Sequence, residues 1–185
     1  MNAATALEGF IKGGEEHRTL RGDHVYHKAT YPGRCGFTVI DVNGQPTLTH
    51  ALPGEYLNRL LLANETFADD IRLVGVTREN DGLVILTSQP TVVGTACDRG
   101  EMVTYFKARH FELIPNFSAG YRGSLSFYRD LDQMAVFDAH PANFLRDRNG
   151  IILPIDAVVL RADDELAKLL EALLKPSTPA RPPSL

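Results

Sequence analysis

No stretch of this chain approaches eighteen consecutive apolar residues, which excludes a membrane-spanning helix. There is no basic excess: 19 lysines and arginines face 23 aspartates and glutamates, for a net charge of −4. That balance argues against a nucleic-acid binder that works by neutralising phosphates, and no basic-aromatic alternation offsets it. Cysteine is nearly absent. Cys35 and Cys97 lie far apart and form no C-x-x-C pair, so two free thiols acting as small buried hydrophobes in a reducing cytoplasm are expected. The amino-terminal MNAATALEGFIKGG lacks a charged region followed by an apolar one, so no export signal is expected. The remainder, 44% apolar residues and 23% charged, is the composition of a globular domain able to bury a core.

The apolar pattern predicts strands first and helices later. Residues 7–42 read as strands, with 24-HVYHKATY-31 and 36-GFTVIDV-42 the clearest and Asn43-Gly44 a turn after them. A helix is expected from Pro53 towards Asp70, with Leu57, Leu60, Leu61 and Asn64 on its inner face. Strands at 71–77 and 83–90 follow, joined by a turn at 79–82. Residues 98–113 read as a helix with Met102, Val103, Phe106 and Phe111 inward, and 115–130 as irregular. Val136 and Phe137 end a short strand. Phe144-Leu145 and 151-IILPI-155 form two arms around Asp147-Arg148-Asn149-Gly150, where Asn149-Gly150 supplies positive φ. Asp163 caps a last helix striped by Leu166, Leu169, Leu170, Leu173 and Leu174. The tail PSTPARPPSL is expected to be disordered. The sum is an α+β outline.

One segment carries the chemistry: 134-MAVFDAHPANFLRDRNGIILPIDAVV-159. Asp138 and Asn143, five residues apart, can face one cavity from a loop that Pro141 stiffens. A hairpin then carries the chain out and back, so that Asp156 arrives beside Asn143. Two carboxylates and an amide in that order are hard oxygen donors suited to a divalent cation and a phosphate. Transfer of a phosphoryl group needs such a set, together with a lysine for the phosphates and an acid to steady that lysine.

Asp138-Ala139-His140-Pro141-Ala142-Asn143, followed by Ile155-Asp156, resembles the D-x-H-P-x-N and I-D pair of aminoglycoside and choline phosphotransferases, which have the protein-kinase-like fold. Within that fold the chain resembles a compact serine/threonine/tyrosine kinase family named for its occurrence in polyvalent proteins, notably around HKATYPGRCGFTV, LPGEYLNRLLLANETF and AVFDAHPANF. The resemblance covers roughly residues 10–165. It implies a minimal two-lobed protein-kinase-like domain over residues 1–175, with an antiparallel sheet and one helix in residues 10–90 and a reduced helical lobe in residues 91–175. It further implies ATP and Mg2+ as cofactors and a cytoplasmic phosphotransferase acting on an unknown small-molecule or protein hydroxyl. No nucleic-acid or membrane partner is expected.

Carried over residue by residue, Asp138 is the catalytic residue that would orient the acceptor hydroxyl, and Asn143 and Asp156 would hold the metal. Lys28, in the V-x-x-K of Val25-Tyr26-His27-Lys28, meets the phosphates, and Glu55, or alternatively Glu65, pairs with it. Gly13-Gly14 takes the place of a glycine-rich loop, and Thr87, Ser88 and Gln89 form the hinge that would bond adenine. The chain also departs from the pattern. Val136-Phe137 precede the aspartate where His-Arg or His-Gly is usual, and Ala157-Val158 replace Phe-Gly after Asp156. The short stretch beyond Asp156 is not expected to hold an activation segment or a peptide-docking platform. Two other readings stay open: a binding module that keeps the fold without turnover, and a transition-metal hydrolase using Asp138 and His140.

Overall fold

The computed structural model describes residues 7–80 and 82–175; the proline-rich tail lies outside the described residues. Its strands are β1 (Ile11–Lys12), β2 (His17–Arg21), β3 (Val25–Thr30), β4 (Phe37–Asp41), β5 (Pro46–His50), β6 (Arg72–Glu79), β7 (Gly82–Pro90), β8 (Thr95–Ala96), β9 (Glu112–Leu113), β10 (Leu125–Arg129), β11 (Met134–Ala139), β12 (Phe144–Arg146), β13 (Ile152–Pro154) and β14 (Val158–Arg161). The helices are α1 (Pro53–Phe67), α2 (Arg99–Lys107) and α3 (Asp164–Leu174). Four antiparallel sheets result, in the orders β1-β2-β3-β7-β6, β14-β11-β10-β9, β13-β12-β8 and β4-β5. The α+β class stands.

The second half is richer in strand than its sequence suggests. The expected helix over 98–113 stops at Lys107, and the segment read as irregular contains β10. Asn43 and Gly44 take φ of 54° and 78°, the left-handed pair that closes a two-residue hairpin, and β5 returns along β4. At the later turn only Gly150 has positive φ; Asn149 does not need it, because the Asp147 carboxylate accepts the amides of Asn149 and Ile151 at 2.8 Å each.

The helix ends follow local chemistry. Asp98 and Glu101 form a reciprocal capping box on α2, and Asp163 accepts the Leu166 amide at 2.9 Å on α3. Leu52 offers α1 no cap of its own; instead the Glu55 carboxylate reaches back to the Leu52 amide at 2.6 Å.

The β11 strand is the middle layer of the C-terminal half. Its alternating side chains bury on opposite faces. Met134 and Val136 join a cluster with Leu62, Phe67, Met102, Phe106, Phe127 and Phe144. Ala135 and Phe137 join another with Val39, Tyr128, Val158, Leu166 and Leu170. Burial on both faces explains why MAVF reads as an unbroken apolar run. Val39 belongs to the second cluster, so the β4-β5 hairpin is rooted in the core under α3.

The α1 helix faces inward one position away from the expected stripe. Tyr56, Arg59, Leu62, Ala63 and Phe67 are its buried residues, whereas Leu61 is 59% exposed and Leu57 and Leu60 are only partly covered. The phase is set by Phe67, which packs edge-on against Phe106. We expect Leu62→Ala to cost ~2–5 kcal/mol in urea unfolding, and Leu61→Ala to stay within about 0.5 kcal/mol.

Candidate active site

A cleft of about 570 Å³ opens between the β1–β2 turn and the ends of β11 and β13. Its walls include Gly13, Gly14 and Lys28 from the first sheet, and Asp138, Asn143 and Asp156 from the C-terminal segment. Residues distant in sequence, and expected to share one chemistry, thus line one cavity. Asp156 is not sealed in the interior: its side chain keeps 38% of its exposure.

Asp138 owes its position to backbone geometry. It takes φ of 55°, and the register between β10 and β11 shifts between Leu125 and Phe127, a bulge that turns the side chain out of the apolar layer. Its amide donates to the Ala119 carbonyl at 3.0 Å. Its carboxylate Oδ1 accepts the Tyr121 amide at 2.6 Å. Gly120, at φ 109°, lies so close that a Cβ there would overlap that carboxylate. Burial pushes the Asp138 carboxyl up, against the opposing pull of the Tyr121 amide and His140. His140 Nε2 stands 4.0 Å from Oδ2, and the Tyr121 ring lies over the imidazole at 5.2 Å.

Asn143 closes a 3-10 turn over Pro141–Asn143. Its Nδ2 donates to the Asp138 carbonyl at 3.1 Å and lies 3.5 Å from Asp138 Oδ2. Its carbonyl accepts the Ile155 amide at 2.9 Å, which fixes the Asp156 segment beside the loop. Committing the amide nitrogen leaves the amide oxygen as the donor a hard cation would take.

Lys28 donates to the Ile155 carbonyl at 2.8 Å. Burial alone would raise the Asp156 pKa, but Lys28 first, then His17, Arg59 and His140, pull it down to about 2.

The expected glutamate partner of Lys28 is not there. Glu55 sits exposed in the first turn of α1 and closes its amino-terminal end, and Glu65 is exposed further along the helix. The α1 residue that does enter the site is Arg59, 5% exposed. Its Nη1 and Nη2 fork onto Glu16 at 2.7 and 3.0 Å, Nη2 reaches Asp156 Oδ1 at 3.1 Å, and Nε and Nη1 donate to the Ala157 and Phe37 carbonyls. Arg59 shares the inward spacing of Tyr56 and Ala63, one residue away from the stripe of Leu57, Leu60 and Leu61.

Glu16 had no sequence signal. It sits beside His17, whose Nε2 is 2.8 Å from the Tyr56 hydroxyl and whose burial keeps the ring below its ordinary pKa. Carboxylate and imidazole atoms of Glu16, His17 and Asp156 lie within 4.8 Å of one another, but both Glu16 oxygens and one Asp156 oxygen already accept from the Arg59 guanidinium.

The residues expected to bond adenine lie within the first sheet. Thr87, Ser88 and Gln89 are interior residues of β7, paired with β3 on one side and, through Thr87 and Ser88, with β6 on the other. Thr87 and Ser88 thus lie between two strands and present no free edge to a base, while Gln89 has a strand partner on the β3 side alone. Gln89 instead binds Asp69 through its side chain at 2.7 Å.

A mixed α+β fold with a lysine, an amide and two carboxylates lining one cleft has the groups that phosphoryl transfer requires. Residues 21–162, well over half of the chain, match the family described as Serine/Threonine/Tyrosine Kinase found in polyvalent proteins, and the chain belongs to that family. No curated protein and no solved structure matches it. Among the described residues no helix is long and apolar enough to cross a membrane.

The two aspartates have opposite effects on folding. The depressed Asp156 pKa stabilises the fold above the ordinary carboxylate range, and that stability is lost as pH falls through about 2. The raised Asp138 pKa makes its ionisation a cost at neutral pH. Melting curves at pH 7 should therefore show a lower Tm for Asp156→Asn, and a Tm unchanged or higher for Asp138→Asn. The Asp156→Asn deficit should shrink as the pH is brought below 4.

Proposed function

We propose that the protein is a Mg-ATP-dependent phosphotransferase acting on a hydroxyl acceptor. The observation that carries this reading is the convergence of Gly13-Gly14, Lys28, Asp138, Asn143 and Asp156 on one cleft in a chain of the kinase family. The donor set fits magnesium: one amide oxygen and carboxylate oxygens, with no thiolate among them. Asn143 and Asp156 would hold the ion, and when bound it supplies neutralising charge to the phosphate oxygens.

The chain's own groups do the rest. Lys28 adds a cation where the phosphates would lie, and the Gly13-Gly14 turn bounds the same space. Asp138 Oδ1 is fixed by the Tyr121 amide, so Oδ2 is the atom that meets the acceptor. As the acceptor oxygen bonds to the γ-phosphorus and the bond to the ADP oxygen breaks, the acceptor proton passes to Oδ2. A carboxyl whose pKa is raised by burial suits that task. The hydrogen bonds that hold Asp138 are ground-state contacts, so orientation is fixed before the acceptor arrives.

A second reading, a nucleotide- or partner-binding module without turnover, draws support from one contact: Arg59 already holds an oxygen of Asp156. The two separate in one experiment. Phosphotransfer predicts that Asp138→Ala lowers ATP turnover ~10²–10⁴-fold while the melting shift given by Mg-ATP persists. A binding module predicts that shift with no turnover in the unsubstituted protein. If Mg-ATP gives neither shift nor turnover, phosphotransfer and nucleotide binding both fail, and the module that binds a partner alone gains.

A further inference from the structure

Arg59 is the least expected charge in the molecule. A guanidinium removed from water costs several kcal/mol unless its donors are matched, and here all five N–H groups have acceptors. The Nε hydrogen goes to the Ala157 carbonyl, the Nη1 pair to Glu16 and the Phe37 carbonyl, and the Nη2 pair to Glu16 and Asp156. These acceptors come from three separate places: the end of the β1–β2 turn, the start of β4, and the segment between β13 and β14. Glu16 is itself held from a second direction, since its Oε1 accepts the Phe37 amide at 2.9 Å. Gly36 admits this approach: at φ 77°, a Cβ there would press on Tyr56 and on the Glu16 carboxylate.

Resting on the phosphotransferase reading, we infer that Arg59 is the positioning residue of the site, joining the Gly13–Glu16 turn to Asp156 through a Glu16–Arg59–Asp156 relay. In this chain the relay does what a helix glutamate on Lys28 was expected to do. It sets the orientation of the metal carboxylate and the height of the turn over the phosphates with one side chain. Arg59 binds only Oδ1 of Asp156, which leaves Oδ2 free of the guanidinium in a residue that lines the cleft. Glu16 cancels the arginine's charge next to a site that must accept a cation. A lysine cannot replace it, because a single ammonium has no planar fork to span two carboxylates at once.

The test is a Mn2+ titration of the full chain, followed by the loss of the free-ion EPR signal, for the unsubstituted protein, Arg59→Lys, Glu16→Gln and the double variant. Melting curves establish that each is folded. Arg59→Lys and Glu16→Gln should each weaken Mn2+ binding ~10–100-fold, as loss of a residue that orients a metal ligand does. The double variant should be no weaker than the worse single one, because both break the same relay. A folded Arg59→Lys that binds Mn2+ like the parent overturns the relay. So does a loss confined to Glu16→Gln, which would make Glu16 a direct ligand, and so do additive losses.

A measurement without variants covers the case in which Arg59→Lys does not fold. In the unsubstituted chain, Mn2+ alone should slow amide exchange in residues 14–17 and 57–60 together with 155–157. Protection restricted to residues 138–143 and 155–157 overturns the relay but leaves the metal site intact. No response to Mn2+ in the unsubstituted chain by either method overturns the metal site assigned to Asn143 and Asp156 and the relay with it, whereas ATP turnover decides the phosphotransferase reading separately.

Discussion

The Arg59 guanidinium imposes a constraint that the rest of the site must satisfy. Burial alone would drive the proton off; Glu16 first, and Asp156 after it, hold the group charged. An arginine in that position stabilises nothing by itself, and removing it would leave the Glu16 and Asp156 carboxylates side by side with no cation between them. The consequence is coupling. The β1–β2 turn, the β4-β5 hairpin, α1 and the Asp156 segment cannot move independently without exposing an unpaired ion. A site assembled from distant parts of the sequence needs such a tie, because apolar contacts are non-directional and would tolerate displacements that hydrogen bonds do not.

The β11 strand supplies the complementary constraint. Its apolar side chains alternate between two clusters, and neither face is free. The chain can therefore put a polar group into the cleft only where the strand pattern breaks. That break is Asp138, at positive φ beside a register shift. A non-glycine residue in this region carries conformational cost that the surroundings must over-determine. They do so through the Ala119 carbonyl, the Tyr121 amide and the Asn143 side chain. Gly120 is needed for the same reason, since any side chain at that point would enter the space of the carboxylate.

Much of this was legible in the sequence, and the parts that were not share a cause. Asp138, Asn143 and Asp156 stood out because their roles depend on short spacings and on a turn that Gly150 marks. Asp163 and the Asn43-Gly44 turn were readable for the same local reason. The face of α1 was not local: a leucine-rich helix offers several apolar stripes, and Phe67 packing on Phe106 selects one. Glu55 looked like an ion-pair partner because its helix occupies the right place in the order. Its own first turn claims the carboxylate, and no pattern in LPGEYLN distinguishes the two uses. The strand carrying Thr87 to Gln89 was legible over 83–90, but not that β3 and β6 would flank Thr87 and Ser88. Glu16 became meaningful only once Arg59 was found facing it.

The chain after Asp156 bears on how such a site can be controlled. Ala157 gives its carbonyl to Arg59, and Val158 begins β14, which pairs with β11 from Phe137 back to Met134. The segment goes from the metal-side carboxylate directly into a buried sheet, and α3 follows within a few residues. A flexible switch cannot occupy that position, since releasing it would strip the ladder from a strand that forms the core. The freedom left to the site lies on the opposite side, in the β1–β2 turn. There Gly13 and Gly14 carry no side chains, and Glu16 is the one residue that ties the turn to Arg59. Two further bonds join it, from the Phe37 amide to Glu16 and from the Tyr31 hydroxyl to the Gly14 carbonyl, so the turn is held by a few hydrogen bonds where β11 and β14 are held by the apolar layers.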